Sequence, residues 1–235
     1  MGNKPESATA STKLQYLIPE LDVDAVGIAS LAEWEGTELE KTALKLLPQV
    51  RSVVVLAMEI YPEILDLTSP KTIMGAALMN DLANSHADFI NGRLIKAGHD
   101  LAKALHRLGL KALPLPAKGC PIDERFMKAV FSFKHAAQAA GLGKIGWSSL
   151  LITPSFGPRV RLSACLTEAV LEPTASVDMT LECGSCGICI KRCSSGALAR
   201  PNAGEPYIMN KFACRCFLVA SGGCSECMRV CPVGR

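Results

Sequence analysis

Aromatic residues are scarce in this sequence: Phe, Trp and Tyr together make up 5% of its 235 positions. A protein that stacks nucleic-acid bases needs aromatic platforms, so a nucleic-acid partner is not expected. Neither sign of charge dominates: 25 Lys+Arg stand against 22 Asp+Glu, a formal net charge of +3. That excludes a chain kept unfolded by self-repulsion. Long hydrophobic runs are missing too. A membrane-spanning helix needs roughly 18 apolar residues or more, and the best run here is Val53–Met58. Met1 to Glu6 carry neither an apolar export segment nor a twin arginine. A cytoplasmic protein without a membrane partner is therefore expected.

Cysteine is what the chain has in excess. Of 11 cysteines, nine fall between Cys183 and Cys231. A disulfide framework suits small secreted chains with paired cysteines, and the odd count and missing secretory route argue against one. In a reducing compartment such density means metal or redox chemistry. From Cys183 onward, seven Lys/Arg face only Glu205 and Glu226. This local excess fits compensation of anionic, thiolate-bound metal better than a nucleic-acid footprint.

The spacing of apolar residues indicates an α/β layered domain over residues 1–172 and a small cysteine-rich module over 173–235. Residues 1–12 are small and polar, and are expected to fray. Val23–Ile28, Val53–Met58, Ala112–Leu115, Leu150–Thr153 and Val160–Leu166 read as strands. Glu38–Leu47 and Phe126–Ala140 read as helices. Ile90, Leu94, Ala97, Leu101, Leu105 and Leu108 form the buried stripe of a longer helix closed by Gly109. His86, His99 and His106 on that helix are expected at the surface. Glu172–Val177 reads as a hinge into the module, which has too few apolar residues for its own core and is expected to fold around what its cysteines bind.

Two cysteine motifs carry the chemistry: Cys183-x2-Cys186-x2-Cys189-x3-Cys193, and Cys224-x2-Cys227-x3-Cys231-Pro232. Soft thiolates hold iron–sulfur clusters. At this spacing three of them wrap one cube while the fourth reaches a second cube. A structural zinc site shows two separated C-x2-C pairs instead. Superposition of the motifs puts Ser221 where the first has Cys183, so the two supply seven of the eight thiolates that two [4Fe–4S] clusters require. Cluster I takes Cys183, Cys186, Cys189 and Cys231. Cluster II takes Cys193, Cys224, Cys227 and either Cys214 or Cys216. Cys120 and Cys165 read as small buried hydrophobes. Gly141-Leu142-Gly143-Lys144-Ile145-Gly146 matches a dinucleotide fingerprint, but it follows a helix and precedes a strand, the reverse of the required context.

The run His135-Ala136-Ala137, Ala140-Gly141-Leu142-Gly143 and Gly146, then Leu151-Ile152-Thr153-Pro154 and Gly157-Pro158-Arg159, then the double-cluster module, resembles epoxyqueuosine reductases and reductive dehalogenases. Cys214, with Phe217-Leu218 three residues on, is similar to their Cys-x-x-aromatic-Leu segment, which implies Cys214 as the eighth ligand and Cys216 as spare. The resemblance implies a nitroreductase-like α/β domain holding cobalamin and a ferredoxin-like module feeding it electrons from a donor such as ferredoxin or flavodoxin. It places cobalamin against Gly141, Leu142, Gly143, Gly146 and Ser148, the strand end Leu151 and Thr153, and the turn Gly157, Pro158, Arg159 and Arg161. The arginines would meet its phosphate.

His135 titrates in a range suited to proton donation and is the first catalytic candidate; Asp123 and Tyr61 follow. The general acid of epoxyqueuosine reductases is an aspartate 14 residues before the first glycine of the Gly-Leu-Gly run, and Met127 stands there. Trp147 and Ser148 replace their Lys-Asn pair. These departures point away from epoxyqueuosine in tRNA and toward a small molecule or another corrinoid centre as substrate. The alternative is a non-catalytic carrier, or an accessory protein that reduces or delivers corrinoid; a zinc-stapled nucleic-acid-binding module is a third reading.

Overall fold

The computed structural model describes residues 18–68 and 76–235; the polar stretch 1–12 lies outside them. The chain runs through β1 (Ala25–Ser30), α1 (Glu38–Leu46), β2 (Ser52–Glu59), α2 (Pro62–Leu67), α3 (Ala76–Arg107) and β3 (Ala112–Leu115). There follow a hairpin of β4 (Ile122–Asp123) and β5 (Lys128–Ala129), α4 (Phe133–Ala139), a hairpin of β6 (Lys144–Ile145) and β7 (Leu151–Ile152), and β8 (Val160–Thr167). One four-stranded sheet, in the order β1-β2-β8-β3, is antiparallel throughout.

The continuous apolar run of β2 has a simple cause. Val53, Val55 and Ala57 face one core with α4, Leu31 and Trp34, while Val54, Leu56 and Met58 face another under α3. A strand covered on both faces has no polar side, so it does not alternate. Ile90, Leu94, Ala97, Leu101 and Leu105 line the second core, as their spacing requires. Gly109, at φ +77°, ends α3 with bonds Leu110 N→Leu105 O (3.1 Å) and Gly109 N→His106 O (2.9 Å). That is the left-handed cap which satisfies the last carbonyls of a helix. Cys165 is fully buried, and burial pushes its thiol up to about 12.

Three expectations change. The helix expected over 126–140 is only α4; before it the chain folds back as β4–β5, fixed by Val130 N→Pro121 O (2.9 Å). Phe131 enters the core while Phe126 stays 65% exposed, so the apolar residues here do not share one helical face. His86 is not a free surface group: its ring lies 5.2 Å from that of Tyr61, its Nε2 is buried, and burial lowers its pKa. His99 and His106 are exposed. The expected hinge is pinned down. Thr174 N donates to Ile28 O (2.9 Å) and Ile28 N to Thr174 Oγ1 (3.0 Å), so the segment covers the free edge of β1.

Gly27 of β1 is where α4 reaches the sheet. A Cβ there would collide with the Ala140 carbonyl and stand 2.8 Å from Leu142 Cγ. Backbone cannot swing aside, so Gly27→Ala is expected to cost about 2 kcal/mol by overpacking, read as a lower denaturation midpoint at unchanged slope.

The module contains α5 (Cys183–Cys186), α6 (Ile188–Lys191), β9 (Leu198–Ala199), β10 (Ile208–Met209), α7 (Lys211–Ala220) and α8 (Glu226–Arg229). Its buried apolar residues are only Ala197 and Leu198. Asn80 and Asn84 of α3 bond the Ser221 and Gly222 carbonyls (3.0 and 3.2 Å), fastening it to the larger domain.

Candidate functional site

The loops carrying the cysteines are short and tightly turned. Gly187, at φ +56°, separates α5 from α6, and its N–H bonds Cys183 O (3.0 Å), so Cys183, Cys186 and Cys189 curl around one point. Burial, then the Cys183 and Cys231 charges, raise the Cys189 thiol. Burial likewise raises Cys231, which feels Cys183 and Cys186, while Arg159 opposes the shift. These four therefore share one neighbourhood. They also line a cavity of about 80 Å³ with Trp147, Ser148 and Ile152. The buried Ser148 Oγ in that wall has no partner.

A second neighbourhood gathers Cys193, Cys214, Cys224 and Cys227. Burial raises Cys214, with Cys224 and Cys193 adding to it. Burial pushes Cys227 to about 12, followed by the charges of Cys224, Cys214, Cys193 and Cys189. Burial also works on Cys193, but the Ser195 hydroxyl and backbone N–H groups at Leu198, Ala197 and Ser195 outweigh it and lower that thiol. Cys216 is exposed on α7. Crowded thiols resist ionising beside one another, and a cationic metal core removes that resistance. Among the described residues, no three His, Cys, Asp or Glu side chains close to single-ion spacing. Thiolates are soft donors of the kind that hold iron–sulfur clusters.

Glu226 had no signal in the sequence beyond its sign. It is 4% exposed and binds Arg192 Nε (3.2 Å) and Arg229 Nη2 (2.9 Å). Burial disfavours its charge, but the two guanidiniums outweigh that and hold its carboxyl below the ordinary range. It ties α6 to α8, so two of the module's cations serve the fold.

Beside the second neighbourhood lies a cavity of about 840 Å³. That is near the upper end for drug-sized ligands. Thr37 caps α1 through Glu40 N (3.2 Å), which sets Glu38 and Leu39 in the wall. Trp34, Met127, Phe131, Met209 and Leu218 supply apolar surface, and Cys214 stands in the wall with Lys134, His135, Tyr207, Lys211 and Arg215. His135 Nδ1 meets Ser132 Oγ at 2.6 Å. Burial, then the charges of Lys134 and Lys211, lower its pKa. Lys134 Nζ donates to Ser149 O (2.8 Å) and Oγ (2.7 Å) and stands 4.0 Å from the Tyr207 ring centroid.

The residues assigned to cobalamin do not line this cavity. A Cβ on Gly141 would stand 2.5 Å from Ala175 O; on Gly143 it would strike Ile152 O, and on Gly157 Val233 O. These glycines permit close approach of the chain to itself, and Gly143 and Gly146 also line a second cavity, of about 520 Å³, with Trp147 and Cys183. A Cβ on Gly146 would strike the Ile152 side chain and stand 3.5 Å from Cys183 Sγ, where the glycine loop approaches the first cysteine neighbourhood. Leu142 and Leu151 are core, Thr153 bonds Gly157 within its turn, and Pro158 lies buried in that turn. Arg159 is fully buried and donates to the Val233 and Gly234 carbonyls; Arg161 lies under α3 near Asp88. Neither arginine lines the large cavity. Asp123 is half-buried and paired with Arg125 (2.8 Å), whose hydrogen bond lowers its pKa, and it is not in the wall. Met127 is in the wall, at φ +47°. His135 alone of the expected catalytic pair reaches the cavity.

No protein-family model matches the chain. It is similar to the epoxyqueuosine reductase of Bacillus subtilis, 26% identical over 225 residues, covering 87% of this chain and 53% of that protein. The chain thus spans about half the length of that relative. Its fold is similar to a reductive dehalogenase studied for B12-dependent dehalogenation, at TM-score 0.71 and 19% identity, over 100% of this chain and 33% of the other. It is also similar to an epoxyqueuosine reductase crystallised with an epoxyqueuosine-modified tRNA stem loop, at TM-score 0.60 and 18% identity, over 97% and 66%. Among the described residues no helix is long and apolar enough to cross a membrane.

Proposed function

We propose that this chain, an epoxyqueuosine reductase and reductive dehalogenase-like protein in sequence and fold, is an oxidoreductase that relays electrons through two [4Fe–4S] clusters to cobalamin in its large cavity, for reduction of a small substrate or another corrinoid centre. One observation carries the reading: Cys214 belongs to the second cysteine neighbourhood and also forms part of the cavity wall. Cys183, Cys186, Cys189 and Cys231 would hold the outer cluster, and Cys193, Cys214, Cys224 and Cys227 the one beside the cavity. When bound, the corrinoid supplies the difficult electron chemistry.

The chain's own residues do the rest. Trp34, Phe131, Met127 and Met209 offer the broad apolar surface that a macrocycle needs, and keep water from the reacting centre. His135, oriented by Ser132, is the proton-handling group in the wall. Lys134 and Tyr207 set the polar end.

A ferredoxin-like carrier needs no such chamber, so the cavity favours a chain with a substrate. The similar protein crystallised with a tRNA stem loop also keeps an RNA-borne base as a substrate class, against the expectation from aromatic content. Titration of the anaerobic, cluster-loaded protein with cob(II)alamin, followed by absorbance and EPR, tests the reading. Saturable binding with a changed cobalt spectrum is expected. Intact clusters without corrinoid binding would leave the carrier role instead.

A further inference from the structure

Three of the large cavity's cations have no carboxylate to answer them among the described residues. Glu38 is the acidic residue of the wall, and it is engaged by Lys41 (3.3 Å) and Lys128 (3.6 Å). Among the described residues Lys134, Lys211 and Arg215 have no carboxylate partner. Lys134 is held by the Ser149 carbonyl and hydroxyl and the face of Tyr207, and Lys211 Nζ donates to Met127 O (3.4 Å). All these partners are neutral, so they fix the ammonium groups without cancelling charge.

The backbone adds a second observation. Among the described residues Met127 and Ser149 are the two non-glycine residues with left-handed φ, at +47° and +64°. Such conformations cost of order 1–3 kcal/mol each and persist where surrounding structure demands them. Here each presents its carbonyl to a cavity lysine, Ser149 to Lys134 and Met127 to Lys211. A partly desolvated cation against apolar walls is costly until an anion meets it.

We propose that the substrate of this cavity is an organic anion, with an apolar ring or chain against Leu39 and Leu218, outside the face assigned to the macrocycle, and a carboxylate or phosphate met by Lys134, Lys211 and Arg215. This names the substrate class for the reduction proposed above and rests on that reading for the reaction, though not for binding.

The test is calorimetric titration of the anaerobic, cluster-loaded full chain with 1-naphthoate, 1-naphthyl phosphate and 1-naphthamide. At least one anion is expected to bind about tenfold tighter than the amide, and the stronger anion identifies the head group. Lys134→Gln is expected to remove that advantage and leave the amide unchanged. Arg215→Gln, at an exposed position, repeats the measurement if the first variant folds poorly. Equal binding of all three probes, no binding of any, or anion binding unchanged in both variants overturns the proposal. Titrations are repeated with cob(II)alamin present. Anion binding abolished by bound corrinoid overturns the substrate assignment, because the cationic end is then taken by the corrinoid's own phosphate. Anion selectivity that persists where corrinoid fails to bind sinks the reduction reading and supports this one.

Discussion

Cys214→Ser is expected to lose about half of the iron and acid-labile sulfide, roughly four of eight atoms of each, while Cys216→Ser keeps all of it. The two cysteines share α7, two residues apart, so they stand about 200° from one another around the helix axis. Asn210 decides which one faces inward. Its side chain accepts from Ala213 N (3.0 Å), its own N–H donates to Ala197 O (2.8 Å), and its carbonyl takes Cys214 N (3.1 Å). The first turn of α7 is thereby set against β9, with Cys214 beside Cys193 and Cys224. A serine oxygen is a hard ligand and a poor substitute at a cluster. The EPR signal of the reduced Cys214→Ser protein should simplify to that of one isolated cluster. Loss of iron in Cys216→Ser alone would reverse the assignment.

Gly157→Ala is expected to lower stability by about 3 kcal/mol, a fall in Tm of about 6–12 °C for a chain of this size. Two costs combine. Gly157 has φ +54°, where a side chain is strained, and its Cβ would strike the Val233 carbonyl. The same carbonyl accepts from Arg159, whose buried guanidinium also holds Gly234 O. Residues 233 and 234 thus sit against the Gly157 turn just after Cys231, and displacing them moves the thiol proposed as a ligand of the outer cluster. Iron loss confined to one cluster should accompany the melting shift. Gly36→Ala is the control: φ is +77° with nothing within 4 Å, so only the conformational cost of about 1 kcal/mol remains. Equal shifts in both variants would contradict the proposed joint.

Periodicity and spacing disclosed the parts whose causes are local. The stripe from Ile90 to Leu105 and the run Val53–Met58 follow directly from which faces are covered, and the cysteine intervals follow from tight loops. The glycine loop was legible in kind, since Gly141, Gly143 and Gly157 do permit close approach; it was illegible in partner, because the approaching atoms come from Ala175, Ile152 and Val233. The large cavity left no motif at all. Its wall draws on Trp34, α1, the β4–β5 hairpin, α4, β10 and α7, residues that only the tertiary fold brings together. Lys134 and Tyr207 were missed for that reason. His135 was found because it lies inside a recognisable run. Arg159 and Arg161 look like anion anchors in sequence; the fold buries Arg159 against the Val233 and Gly234 carbonyls and leaves Arg161 half-buried.

Iron and acid-labile sulfide analysis of the anaerobically purified full chain, with EPR after reduction, tests the central claim most directly. About eight irons and eight sulfides per chain, with the spectrum of two interacting [4Fe–4S] clusters, is the predicted result. Fewer than about six irons, or zinc in place of iron, would contradict it.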